Sequence, residues 1–268
     1  MPKKPRGNKS RDNKPRDNKR GERRRRPQRA DKPDWVIGVH AVEALLRSSP
    51  ERIQRLHIWR QLPAPLQKLV ESRRVEVAPG APENVPSAAH LAQGVAARVS
   101  PFIYQPLERF KSPADDAVLL VLDGVTDTRN LGSILRSAGF FGVDGVVLPK
   151  DRSASVTGVT ERVARGGSAV TPVARVTNVA RTLQQLSKWG WTIVGTALEG
   201  ANCTIDDRPW QGPVCLVLGA EDRGIRPLVR AQCDHLTVVQ GAGAVQSLNV
   251  ASFATVAIWE LTRNRGDS

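Results

Sequence analysis

Five side chains able to orient a polar substrate or stabilise its charge stand just after short apolar runs: Asn130, Arg136, Glu221, Ser247 and Asn249. The first segment is DGVTDTRNLGSILRSAG (123–139), in which a strand ends, a polar loop turns and a helix begins near Asn130. Asn130 and Arg136 lie six residues apart, about 600° of helical rotation and so roughly 120° from eclipsed. On periodicity alone the plainer assignment is preferred, with Asn130 as a helix cap and Arg136 as a solvated charge. The second segment is LVLGAEDRGI (216–225). Gly219 at a strand end permits close backbone approach to a ligand, and Glu221 is then held at the crevice. A plain turn before a helix explains that piece equally well. The third is VQGAGAVQSLNV (239–250), where Gly241 and Gly243 can expose backbone N–H groups and Ser247 and Asn249 can cap a helix or bind a polar ligand. It partly mimics a dinucleotide-binding GxGxxG loop. Gln246 takes the place of the third glycine, however, and the loop lies far from any opening βαβ unit, which disfavours a nicotinamide site.

The elements that must position these groups follow from hydrophobic pattern. Val/Leu/Ile-rich runs at Ala117–Leu122, Gly145–Leu148, Pro172–Val176, Thr192–Thr196, Val214–Leu218 and His235–Val239 alternate with helical patterns. Continuous apolar strands separated by helices predict a parallel sheet covered on both faces, in a doubly wound α/β domain over 117–268. Ahead of it, a strand at 35–40, a helix at 41–46, a strand at 55–59, a helix at 65–72 and a short strand at 75–78 predict a small α/β domain over 34–104. The stretch 105–116, with Pro106 and Pro113 and little periodicity, reads as a linker. The C-terminal helix offers Val250, Phe253, Ala254, Ala257, Ile258 and Leu261 at helical spacing, which fits either a core stripe or a subunit contact.

Charge is concentrated at one end. Of the formal +14, residues 1–33 hold 15 Lys/Arg against 4 Asp/Glu, so everything after Pro33 is close to neutral. That segment repeats an arginine–lysine tetrad from Arg6, Arg11 and Arg16 and contains almost nothing apolar, which predicts a disordered polycation suited to phosphate contacts. Cys203, Cys215 and Cys233 are too widely spaced for a zinc or redox pair and read as reduced thiols, so no metal is expected. No apolar run approaches the ~20 residues of a membrane span, and the N-terminus lacks a signal-peptide core, so a cytoplasmic protein without membrane contact is expected.

NLGSILRSAG, LVLGAEDRGI and SLNVASFATVAIWEL together resemble the three motifs of the SpoU/TrmH branch of the SPOUT methyltransferases, in that family's order and spacing. WVIGVHAVEALL and QGVAARV resemble the ribosomal-protein-like substrate-binding domain of bacterial members that methylate a guanosine of large-subunit ribosomal RNA. The resemblance implies a C-terminal domain with a parallel sheet and a trefoil knot. It also implies that S-adenosylmethionine binds with backbone groups near Thr196, Gly219, Val239 and Leu248 around adenine and ribose. Arg136 is then the expected catalytic residue. Because a guanidinium stays protonated, its fitting role is to hold an RNA phosphate and stabilise the developing alkoxide while phosphate or water takes the proton. Glu221 would orient Arg136, with Asn130, Ser247 and Asn249 placing substrate or cofactor.

The same resemblance implies a homodimer acting on RNA, ribosomal in first preference and transfer RNA as the alternative. The chain departs from the family where Val239-Gln240 replaces a Pro-Met pair and where Ala92 replaces a histidine before Gln93-Gly94. A non-catalytic ribosome-assembly factor is the rival from another class, disfavoured because all five chemically able residues are retained. A Rossmann-type methyltransferase would need a glycine loop where Asp123-Gly124-Val125-Thr126 stands.

Overall fold

The structure, a computed structural model, describes residue 1 and residues 34–82 and 93–265. The readings of the basic tail and of Ala92 lie outside the described residues. The described residues from Asp34 onward form one compact unit built on two sheets.

The larger sheet contains β5 (Val118–Asp123), β6 (Gly145–Pro149), β7 (Val173–Val176), β8 (Thr192–Thr196), β9 (Cys203–Thr204), β10 (Val214–Gly219) and β11 (His235–Val238). Its order is β7-β6-β5-β10-β8-β11-β9, and every pairing is parallel. The continuous apolar runs are explained by burial on both sides. Leu120, Leu122, Leu216 and Leu218 share one core with Ile134 and Leu135 of α3 (Thr128–Phe140) and Ala254 and Ile258 of α8 (Val250–Thr262). Leu119, Val121 and Val217 share the other with Leu183 and Leu186 of α6 (Val179–Lys188). The stripe on α8 is therefore core, with Val250, Ala254, Ala257, Ile258 and Leu261 buried and Phe253 packed against them.

The chain runs outward from β5 in one direction and returns to β10 on its other side. The register pairs Gly219 with Asp123 at the carboxyl ends of these two neighbours, the switch point at which open α/β sheets bind ligands.

The smaller sheet has β1 (Asp34–Ile37), β2 (Ile53–Ile58), β3 (Val77–Pro79) and β4 (Val95–Val99) in the order β1-β4-β2-β3. Helices α1 (Val39–Ser48) and α2 (Ala64–Ser72) cover one face over Val36, Val42, Leu45, Leu56, Leu66 and Val95. The first strand is shorter than the pattern predicts, because Gly38 turns the chain at φ 100° and puts Val39 and His40 into the helix.

The two sheets meet at α4 (Gly158–Ala164). Gly158 N–H donates to Asp34 Oδ2 at 2.8 Å, and a Cβ there would lie 1.9 Å from the Trp35 carbonyl oxygen. Arg52 and Glu161 form a buried bidentate pair at 2.8 and 3.2 Å; removing one partner of such a pair typically costs about 3–5 kcal/mol. The stretch read as a linker is packed. Gln105 bridges to Ala174, a 3₁₀ turn spans Leu107–Phe110, and the Trp191 indole donates to the Phe110 carbonyl at 2.8 Å. Phe110 fills the space left by Gly145, where a Cβ would stand 2.3 Å from its ring.

Candidate active site

Two of the three loops are fixed to each other at the switch point. The buried Asp123 carboxylate accepts the Arg226 backbone N–H at 3.0 Å and its Nε at 2.8 Å, tying the segment after β10 to the end of β5. Between them, Ala220 and Gly224 exchange backbone hydrogen bonds at 3.1 and 2.8 Å to close a tight turn, with Gly224 at φ 64°. A Cβ on Gly219 would lie 2.2 Å from the Gly224 carbonyl carbon. Its glycine is thus required by the turn itself, in addition to any ligand.

That turn presents Glu221. Its Oε1 accepts from Asn130 Nδ2 at 3.0 Å, from Asn249 Nδ2 at 2.5 Å and from the Val250 backbone N–H at 3.4 Å. Asn249 Nδ2 also donates to Asn130 Oδ1 at 3.2 Å, while its own Oδ1 caps α8 by accepting from Ala251 N at 2.9 Å. One carboxylate therefore gathers all three segments, and it sits at a helix N-terminus where the backbone dipole favours negative charge. Asn130 is not the cap of α3; Asp127 is, accepting from Arg129 N at 2.7 Å.

Arg136 behaves as the helical rotation requires. It is exposed on α3, and its side chain forms no hydrogen bond or ion pair among the described residues, with Glu221 or with any other group. The expectation that Glu221 orients Arg136 is corrected: its carboxylate is taken by the two asparagines. Beside Arg136, α5 (Gly167–Val170) comes so close that a Cβ on Gly167 would lie 2.8 Å from the Arg136 Cα.

A cavity of about 700 Å³ opens at these strand ends, a volume ordinary for a cofactor site. Thr196, Gly219, Glu221, Ser247, Leu248 and Asn249 line it, and Asn130 reaches it through Glu221. Val239 does not line it. Its side chain packs on the core, and Val238 takes the lining position. Sequence reasoning missed Leu198, Glu199, Arg223, Ile225, Arg230 and Phe253 on the same walls. Arg230 belongs to the single-turn α7 (Pro227–Arg230) and donates to the Glu199 carbonyl at 3.0 Å, a pairing no local spacing encodes.

The thiols stand apart from this chemistry. Burial first and the Asp234 carboxylate second push Cys233 up to about 11, and burial pushes Cys215 well above its usual range, so both stay protonated at neutral pH. Among the described residues no group of His, Cys, Asp and Glu has metal-binding geometry, and no helix is long and apolar enough to cross a membrane.

Comparison with known proteins places this geometry among relatives. The model of the SpoU rRNA Methylase family matches residues 117–259. The 23S rRNA (guanosine-2'-O-)-methyltransferase RlmB of Shewanella oneidensis is 38% identical over 247 residues, covering 87% of this chain and 98% of that protein. The RlmB of Escherichia coli K12 is 39% identical over 243 residues, with 87% and 99% covered. Among solved structures, the SpoU methyltransferase AviRb from Streptomyces viridochromogenes, in complex with the cofactor AdoMet, superposes with a TM-score of 0.73 at 25% identity, covering 86% of this chain and 89% of that one.

Proposed function

The chain belongs to the SpoU rRNA Methylase family, and on that premise we propose that it transfers a methyl group from S-adenosylmethionine to the ribose 2'-hydroxyl of a guanosine in large-subunit ribosomal RNA. The observation that carries the proposal is the convergence of three strand-end loops on Glu221 at the rim of the 700 Å³ cavity. The cavity fits such a cofactor in size and in kind. Leu198, Leu218, Ile225, Leu248 and Phe253 supply apolar wall for an adenine, and the Glu199 and Glu221 carboxylates suit a sulfonium cation.

When bound, the cofactor supplies an electrophilic methyl group. The chain's own residues do the rest. Backbone groups at Thr196, Gly219 and Leu248, with those near Val239, hold adenine and ribose. Glu221 fixes the amides of Asn130 and Asn249, which with Ser247 place the cofactor and the attacking ribose in line. Arg136, free on the face of α3, holds an RNA phosphate and stabilises the alkoxide as the hydroxyl loses its proton to phosphate or water.

The segment between β11 and α8 threads a trefoil knot, a reading supported by its junction with Glu221 and by the packing of α8 on α3 through Ser137 and Thr255, whose hydroxyls lie 2.7 Å apart. A second copy of the chain covers the exposed apolar residues Phe140, Val256 and Trp259 of those two helices. The smaller α/β domain and the basic tail add RNA contacts. Mapping 2'-O-methyl positions in ribosomal RNA from cells with and without this gene tests the proposal: one guanosine is expected to lose its methyl group, and an unchanged map would overturn it.

A further inference from the structure

Arg165 adopts a backbone conformation that its side chain does not favour. It ends α4 at φ 47° and ψ 40°, the left-handed region in which helices ordinarily place glycine. Glycine follows immediately, since Gly166 starts the next turn at φ 101°. A turn serving only to reverse the chain would be relieved by glycine at both positions. Its backbone N–H closes the helix on the Glu161 carbonyl at 3.1 Å, but the exposed side chain has no hydrogen bond or ion pair among the described residues. Two other arginines are left-handed: Arg208 at φ 43°, which donates to the Glu260 carbonyl at 3.5 Å, and Arg152 at φ 53°, exposed in the bend after β6.

The position of the turn gives the strained residue its meaning. Gly167 is wedged against α3, where a Cβ would lie 2.1 Å from the Leu135 carbonyl oxygen and 2.8 Å from the Arg136 Cα. Gly166 faces α1 of the smaller sheet, with a Cβ position 2.7 Å from Ala44 Cβ. Arg165 therefore projects from the seam between the helix carrying Arg136 and the smaller α/β domain. The acids on the adjoining elements are already taken, Glu161 by Arg52 and Glu43 by Arg47. What remains at the seam is uncompensated positive charge with the guanidinium fork that suits phosphate oxygens.

We infer that Arg165 binds an RNA phosphate adjacent to the one held by Arg136, so that substrate crossing from the smaller domain to the cavity is gripped at two points. Left-handed strain at an exposed arginine whose side chain has no partner fits a residue kept for a ligand, and its place beside Arg136 at the seam sets it apart from Arg152. The inference rests on the reading of Arg136 as the residue facing RNA.

The test uses the full chain and an unmodified large-subunit ribosomal RNA transcript, with binding titrated against salt. Arg165→Gly is expected to melt at or above the parent temperature, because the strain is removed, and to bind S-adenosylmethionine as the parent does. Its transcript affinity is expected to fall about tenfold at low salt, as for loss of one charge-assisted contact. The slope of log affinity against log salt becomes shallower by ~0.7–0.9. Arg165→Lys should recover most of that affinity. If the parent binds and methylates the transcript while Arg165→Gly matches it in affinity and slope, the assignment of Arg165 is overturned and the function stands. If the parent transfers no methyl group to the transcript, the functional reading fails and Arg165 loses its role with it.

Discussion

The Glu221 cluster and the outer face of α3 begin from the same loop after β5, yet the protein completes one and leaves the other open. Around Glu221 both polar atoms of two asparagine amides are engaged, and a backbone N–H shares the same oxygen. On α3, Arg136 has no protein partner among the described residues and stands in water. Glu221 and Asn249 are exposed in the free protein, but a cofactor seated on them would take their solvent away, and groups already fixed to one another lose less when that happens. An arginine that meets a phosphate loses little by waiting in water. Under the proposed function the contrast divides the chemistry, with cofactor placement assigned to the satisfied cluster and charge stabilisation to the unsatisfied face.

Substitutions can break that division. The largest effect is expected from Arg136→Ala, which should reduce methyl transfer by ~10²–10³ while calorimetry with S-adenosylmethionine and the melting temperature stay at parent values. Activity within a few-fold of the parent would remove Arg136 from the mechanism. Glu221→Ala should do the converse, leaving three donors without their acceptor. Cofactor affinity should fall roughly ten- to a hundredfold, and transcript binding should hold. Transcript binding lost with cofactor binding intact would reverse the roles of the two regions.

Gly219→Val sharpens the comparison from inside the turn. A side chain there meets the backbone of Gly224 and Ile225 before it meets any ligand. Destabilisation of about 1–3 kcal/mol is expected alongside weaker cofactor binding. A denaturant midpoint equal to the parent's would show that the turn yields without cost. The smallest effect belongs to Asn249→Ala, which removes the cap of α8 and one of the donors to Glu221. About 1 kcal/mol of stability should go with it, measured in the same denaturant series.

What the sequence made legible follows from how far each feature reaches along the chain. The strands of the larger sheet were readable because burial on both faces writes a local apolar run, and Thr192–Thr196 is found with the expected bounds. The two-residue strand Cys203–Thr204 writes no pattern and was missed. Phe110 looked like part of a loose connection because its burial depends on Gly145 and Trp191, which are distant in sequence. The site divides in the same way. Gly219 stands at a strand end, which periodicity locates, whereas Ser247 lies nine residues beyond β11 and is singled out by the motif resemblance. The partners of Glu221 stand 91 and 28 residues away, beyond any local rule, which is why the expectation pairs Glu221 with Arg136 instead. Val239 is expected near the cofactor through its backbone; Val238 supplies the wall while the Val239 side chain packs on the core, because one residue decides which face a side chain takes.

A chain that methylates a ribose oxygen must leave its methyl group on the sugar of the product nucleoside. Incubating the full-length protein with methyl-labelled S-adenosylmethionine and an unmodified large-subunit ribosomal RNA transcript, then digesting the RNA to nucleosides, tests it most directly. Label is expected in 2'-O-methylguanosine alone. Label in a base-methylated nucleoside, or none in the RNA, would contradict it.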